Sequence, residues 1–593
     1  MGLQTVVHNV DFCVVGGGMA GICAAVSAAR HGLSVVLMQE RPMLGGNASS
    51  EIRMWICGCG GSNNRETGIL EEIQLRSLYQ NPYKLYPVWD GILYDTVTAE
   101  KNITLMLNTS CCAAEMDGDR IISVTGLQMT TQSWQKVYAK QFADCSGDSI
   151  LAPLTGAEYR MGRESKYEFG EQISEEEEDK KTMGNSCLIQ ARKLDHPVDF
   201  IAPSFAKKLT HEDVANRRPN IENSAENYWY LELGGDRDTI GDAETLRDEL
   251  VALAYGMWDF IKNSGEFDAD CWQLDFIGFL PGKRESRRMV GDYIMPQTAI
   301  SQDIHFPDTI AFGGWPLDDH DPGGFWHKGH PNKNGYTPKP YCIPLSVLSS
   351  KNIANLWFAG RNISMTHAAM SSSRVMATCA ILGQAAGTAA YIADKYACSP
   401  REAREKHIDE IQQILMHDDC FLPHIERRVS KISLEAKLIP DNAEDSVENL
   451  RSGPDRNNHT YGEEEQGSFI TLGSKVTYLF DTPAPAEEIR IIFDSDFDRL
   501  TLPGDGCERT HTTRANVKPD SPVMHMPYTL VKDFSVEITE EDGNIIRKVY
   551  SDNIKRYVSI SVGRKVKEVS LSPLTLWDGS AEGKAHIFSF EVV

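Results

Sequence analysis

No run of about 18 apolar residues occurs in the sequence, so no segment reads as a membrane-spanning helix. Positive charge is also scarce. Lys and Arg total 59 against 84 Asp and Glu, for a net charge of −25, and there is no long basic run to follow a phosphate backbone. Nucleic acid and membrane are therefore set aside as partners. The first apolar run has neither the basic start nor the cleavage-like site of a secretory signal. Met1-Gly2 resembles the start of a myristoylation motif, but Val6 stands where Ser or Thr is needed. The 14 cysteines follow no disulfide-framework spacing, and Cys57-Gly58-Cys59 has no second pair to complete a zinc site. The expectation is a metal-free protein of a reducing cytoplasm.

What is present is an ordinary globular composition, 41% apolar and 24% charged, on a chain of 593 residues that is too long for one core. Residues 10–40 predict strand, glycine turn, helix and strand. Gly16, Gly18 and Gly21 form G-x-G-x-x-G between the first strand and the helix. The first glycine permits the tight turn, the second admits a pyrophosphate, and the third lets helix approach strand. Ala20 lies in the first turn of that helix, where free N–H groups and the dipole favour phosphate. Glu40 ends the second strand, where an acid holds ribose hydroxyls. Arg41 follows, and then Gly45-Gly46, which lets the backbone lie close to a bulky ligand.

Leu44-Gly45-Gly46-Asn47-x-Ser49-Ser50 resembles the bacterial FAD-dependent oxidoreductase family, which is related to fumarate reductase flavoproteins and the glucose-inhibited division protein. Further blocks in the same order support the resemblance. They are Asp144-Cys145-Ser146-Gly147-Asp148, Pro281-Gly282-x-Arg284-Glu285-Ser286-Arg287-Arg288, Gly313-Gly314-Trp315-Pro316-Leu317-Asp318-x-His320, and Ala359-Gly360-Arg361-Asn362 continuing to Ser373-Arg374. The resemblance spans roughly residues 10–395 and implies non-covalent FAD. It implies a cofactor site of Gly16, Gly18, Ala20, Gly21, Glu40, Arg41, Gly45, Gly46, Asn47, Ser49, Gly147, Asp148, Gly360, Arg361 and Arg374.

The implied fold is α/β. A Rossmann-like FAD domain of the two-dinucleotide-fold type occupies residues 1–165 and 341–398, with an inserted α+β substrate lobe over 166–340. A helical connector follows at 399–440. Short alternating segments from 441 to 593 predict an all-β sandwich, which resembles galactose-binding-like jelly rolls. A long helix from about Ser373 to Lys395, capped by Ser371 and Ser372, is expected to aim its N-terminus at the flavin.

Oxidation of an alcohol over a flavin needs a base for the hydroxyl proton, and histidine suits that task near neutral pH. His367, after the second flavin block, and His320, in a glycine-rich loop beside Asp318, are the candidates. Arg284, Arg287 and Arg288 would share a face if helical, and Arg284 and Arg288 are expected to orient the substrate. The expected reaction is hydride transfer from a hydroxylated, sugar-like small molecule to flavin. Two alternatives stay open: a fumarate-reductase-like C=C reductase of a dicarboxylate, and a carbohydrate-binding protein with structural FAD. An oligomer is compatible with the sequence.

Overall fold

The first strand, β1 (Gln4–Val15), is pinned on both sides by parallel neighbours. Phe12 to Val15 pair with Val35 to Met38 of β2 (Val35–Met38) and with Gln141 to Asp144 of β6 (Ser133–Asp144). Phe12, Cys13 and Val14 are fully buried, as in a parallel strand covered on both faces. β3 (Ile103–Met106) extends the sheet beyond β2. β4 (Thr109–Asp117) and β5 (Arg120–Gln128) form a meander, turning at Gly118 with φ +61° and leading into β6. The structure is a computed structural model that describes residues 2–59, 63–224, 226–457, 462, 464–497, 499 and 513–593.

The chain divides into two compact units, and their limits differ from those read along the sequence. The first comprises residues 1–59, 83–411 and 501–523; the second comprises 60–82, 412–500 and 524–593. In the first unit, helix α1 (Met19–Arg30) follows the glycine turn and is buried throughout except at Arg30.

The inserted lobe pairs β7 (Ile189–Lys193) with β8 (Trp272–Ile277), and Asn516–Val517 adds a parallel edge to β7. Helix α2 (Ala243–Asn263) buries Leu246, Leu250, Ala254, Met257 and Ile261, a stripe at helical spacing, in the lobe's core with Ile189 and Trp272. In the apolar stretch 229–233 only Glu232–Leu233 is strand. Tyr228 takes φ +58°, and the Trp229 carbonyl accepts from Ser186 and Arg284 rather than from a ladder. β9 (Leu317–His320) pairs with β10 (Asn332–Gly335).

β11 (Leu356–Phe358) returns to the main sheet beside the C-terminal end of β6. The single helix expected after it is two helices, α3 (His367–Ser373) and α4 (Met376–Lys395). The break falls at Val375, whose ψ of +145° is extended. Ser371 and Ser372 therefore sit inside α3 and cap nothing; Thr366 is the N-cap, accepting from the Ala369 N–H. Among the described residues, α4 is the one helix long and apolar enough to cross a membrane, but 89% of its apolar window is buried inside the protein. Its small residues allow contact with α1, and a Cβ on Gly383 would fall 2.0 Å from the Ala20 carbonyl oxygen.

In the second unit, seven strands over 437–592 form an antiparallel sheet. Its two long strands, Val476–Phe493 and Tyr557–Leu576, pair with each other through two shifts of register. The stretch expected to be a helical connector is helical over Pro400–His417 and Lys431–Glu435, with a strand from Lys437.

Candidate active site

A cavity of about 690 Å³ opens at the C-terminal end of β1. That is where parallel α/β sheets bind ligands, and the volume is within the usual range for such pockets. Each glycine of the motif has its own task. Gly16 takes φ +107°, and a Cβ there would lie 2.4 Å from the Cys145 carbonyl. Gly21 allows no side chain, because a Cβ would lie 1.8 Å from the Gly16 oxygen. Gly18 is open, with Gly46 Cα at 3.9 Å as its nearest neighbour. No side chain caps α1, and its first residues, Gly18, Met19 and Ala20, line the cavity.

Glu40, Arg41, Gly45, Gly46, Asn47, Gly147, Asp148, Gly360, Arg361 and Arg374 also line the cavity, together with Gly16, Gly18 and Ala20. Two expected residues do not. Gly21 is consumed by helix packing, and Ser49 turns its hydroxyl to the Gly46 carbonyl at 2.8 Å. Arg41 leaves buried Nε and Nη1 without a hydrogen-bond partner, and its one carboxylate neighbour, Glu51, lies at 3.6 Å, which leaves donors for a further anion. The open glycines, the uncapped helix and this guanidinium fit an FAD pyrophosphate, with Glu40 available for ribose.

Asp148 gathers Lys283 at 2.6 Å, Ser286 at 2.7 Å and Arg361 at 2.5 Å. Burial opposes its charge, but Arg361 and Lys283 prevail and hold its carboxyl below the usual range. Cys111 and Cys379 also line the cavity; burial pushes both thiols up to about 12, so they are neutral there. Val375 and Met376 bring the start of α4 to the same cavity.

Strand period divides the polar residues of β9 between two faces. On the cavity face lie Asp318 and His320. His320 is 4% exposed, with Nδ1 2.6 Å from Glu232 and Nε2 3.3 Å from Asp318. Glu232 meets Arg284 at 3.3 Å, and Asp318 meets Arg374 at 3.1 Å. The result is a chain Arg284, Glu232, His320, Asp318, Arg374, all but Glu232 on the cavity wall. Burial disfavours the Glu232 charge, but Arg284 and then His320 hold its carboxyl low. Asp318 is likewise opposed by burial and held well below the carboxylate range by His320 and Arg374.

Asp319, between them, points the other way into a second array. His367 Nε2 lies 2.9 Å from Asp319 and its Nδ1 lies 2.8 Å from Glu285. Burial works against the cation, but Glu285 and Asp319 push its pKa up to about 10. With both ring nitrogens donating, His367 has no lone pair for a substrate proton, and it does not line the cavity. The geometry therefore removes it from the role of base.

Arg288 is also corrected. It is 1% exposed, spent on Glu164 at 2.8 Å, the Met365 carbonyl at 2.7 Å, the Gly162 carbonyl and Glu285 at 3.3 Å. It does not line the cavity, and no helix aligns the three arginines, since Gly282–Lys283 and Arg288–Met289 are short strands. Arg284 and Arg287 do line it.

Residues that sequence reasoning missed include Glu232, Trp229, Lys283 and Asn332. An acid embedded in Trp229-Tyr230-Leu231-Glu232-Leu233 was the available signal for the first. Among the described residues no His, Cys, Asp and Glu group is arranged to hold a metal.

The profile of a family described as FAD dependent oxidoreductase matches residues 11–415, while no curated protein matches. Solved structures with some likeness include a geranylgeranyl bacteriochlorophyll reductase-like protein from Thermoplasma acidophilum, at 12% identity over 70% of this chain and 85% of that one, with a TM-score of 0.33. The OxyS anhydrotetracycline hydroxylase from Streptomyces rimosus follows at 10% identity over 69% and 67%, with a TM-score of 0.30. A FrdA variant of E. coli quinol fumarate reductase aligns at 12% identity over 70% and 75%, with a TM-score of 0.27. The family match runs from the first dinucleotide strand through both cavity-lining segments, and the chain belongs to the FAD dependent oxidoreductase family.

Proposed function

We propose that this oxidoreductase oxidises a neutral, hydroxylated, sugar-like substrate. The observation that carries the reading is charge balance around His320. Arg284 is matched by Glu232 and Arg374 by Asp318, so neither guanidinium is free to claim a substrate carboxylate. The remaining wall suits a polyol: Asn332 and Asn334 offer hydrogen bonds, and Trp229 and Trp315 offer apolar faces. Bound FAD supplies a two-electron acceptor for hydride. His320 Nε2 would take the hydroxyl proton of a carbinol whose hydride bound FAD would accept, leaving a carbonyl product. The excess cationic charge of Lys283, Arg287 and Arg361 around Asp148 offsets negative charge on the cofactor. We read the C-terminal antiparallel unit as a galactose-binding-like jelly roll accompanying a carbohydrate enzyme.

One observation favours the reductive alternative: both nitrogens of His320 face carboxylates, which suits a protonated ring that donates. Reoxidation of the photoreduced protein separates the two. Ketosugars should restore the oxidised spectrum and fumarate-like dicarboxylates should not; the opposite pattern replaces the sugar reading with the C=C reductase.

A further inference from the structure

We propose that Glu232 is a positioning residue that fixes the tautomer of His320 and holds its charge once it has taken a proton. The inference rests on the reading of His320 as the base. The carboxylate is 3% exposed and immobilised at both oxygens. Oε1 accepts the Gly184 N–H at 2.8 Å, which ties it to the backbone of the inserted lobe. Oε2 lies 2.6 Å from His320 Nδ1 and 3.3 Å from Arg284 Nη1. The imidazole, not the guanidinium, is thus the close partner, at a separation typical of charge-assisted bonds. Arg284 is itself occupied by the Ser186 hydroxyl at 2.8 Å and by the Trp229 carbonyl at 3.0 Å.

The consequence lies at the opposite nitrogen. Glu232 and Asp318 both only accept, and the shorter contact, 2.6 Å at Nδ1 against 3.3 Å at Nε2, puts the hydrogen of the neutral ring on Nδ1 and the lone pair on Nε2. Nε2 is the nitrogen beside cavity-lining Asp318. Its 3.3 Å contact there is long, and Asp318 is otherwise served by Arg374 at 3.1 Å and by Asn332. When Nε2 takes a proton, the imidazolium faces Glu232 at Nδ1, and no solvent rearrangement is needed to stabilise it. The groups facing the ring are Glu232 and Asp318, with Arg284 and Arg374 behind them and Trp229 at its edge, 5.1 Å between centroids. Loss of the Glu232 charge leaves Arg284 uncompensated beside the ring, so proton uptake shifts to lower pH.

The test uses the FAD-loaded full chain with Glu232→Gln, Glu232→Asp and His320→Asn. Glutamine keeps an acceptor for Gly184 and removes the charge. The E232Q protein should retain FAD, reduce it on the order of 10²-fold more slowly with a sugar that reduces the wild type, and move the acid limb of its pH profile downward. E232D should recover part of the rate. Histidine-selective ¹⁵N spectra, with His320 assigned by its loss in H320N, provide a readout that needs no substrate. The wild-type neutral ring should be protonated at Nδ1, and its titration should move to lower pH in E232Q. An Nε2–H tautomer in the wild type, or a titration unmoved in E232Q, overturns the proposal even if E232Q proves unstable. If H320N reduces FAD normally while the ¹⁵N titration still shifts in E232Q, the base assignment fails and the Glu232–His320 coupling stands.

Discussion

Replacing Gly383 with alanine should empty the cofactor site, although Gly383 touches none of the space the cofactor would fill. The added Cβ would sit 2.0 Å from the Ala20 carbonyl oxygen and 2.7 Å from its carbon. That is about 1 Å inside the closest approach a methyl group tolerates, and both partners are helix backbone, with no rotamer to relieve the clash. α4 and α1 must therefore part at the turn where Ala20 and Met19 form the phosphate-facing wall. Overpacking of this kind costs about 1–3 kcal/mol, and the upper end is expected where backbone meets backbone. Gly91 is the control: it is exposed within the helix Tyr86–Thr98, and nothing lies within 4 Å of its Cβ position. Gly91→Ala should stabilise by about 0.5–1 kcal/mol through helix propensity alone. The assay is the flavin absorbance retained after purification, beside the urea midpoint of each variant. A G383A protein with full FAD and a wild-type midpoint would refute the claim that this helix crossing shapes the site.

Further outcomes follow from the two charge arrays. His320→Gln should keep FAD bound yet slow its reduction by about 10²–10⁴-fold, the usual worth of a general base; an unchanged rate in anaerobic stopped flow would remove His320 from the reaction. The His367 pKa rises from 6.5 to about 10 on folding, so its stabilisation is fully present below the unfolded value and is lost as pH rises through about 10. The gap in urea midpoint between wild type and His367→Gln should therefore be wide near pH 6 and close towards pH 10, and a gap constant with pH contradicts the assignment. Arg288→Met leaves buried Glu164 with only Arg160 at 3.8 Å and Glu285 with His367 as its one cationic partner, and should cost about 3–5 kcal/mol in chemical denaturation. Trp229→Ala should raise KM for a sugar more than it lowers kcat; equal loss in both would argue against a stacking platform.

The parts of the site written in local patterns were legible before any coordinates. Strand, glycine turn, helix and terminal acid are contiguous, so Gly16, Gly18, Glu40 and the Gly45-Gly46 pair could be placed from spacing. What could not be read is which side chains meet across the fold. His320 and His367 look alike in sequence, each close to a family block. Their fates differ because Asp318 and Asp319 point to opposite faces of one strand, and because Glu285 and Glu232 arrive from segments far away in the chain. The arginines at 284, 287 and 288 suggested a helical face, but the backbone there is extended and sends Arg288 into the interior. The break between α3 and α4 was likewise hidden, since Ser373-Arg374-Val375-Met376 contains neither Gly nor Pro. That residues 63–82 belong to the second unit and 513–523 to the first depends on long-range packing that no local period encodes.

The most direct test of the account is the absorbance of the FAD-loaded protein under anaerobic conditions, titrated with neutral mono- and oligosaccharides and separately with dicarboxylates. The account predicts that a neutral sugar bleaches the flavin and that no dicarboxylate does. A flavin that every sugar leaves fully oxidised would contradict the proposed substrate and the proton role of His320 together.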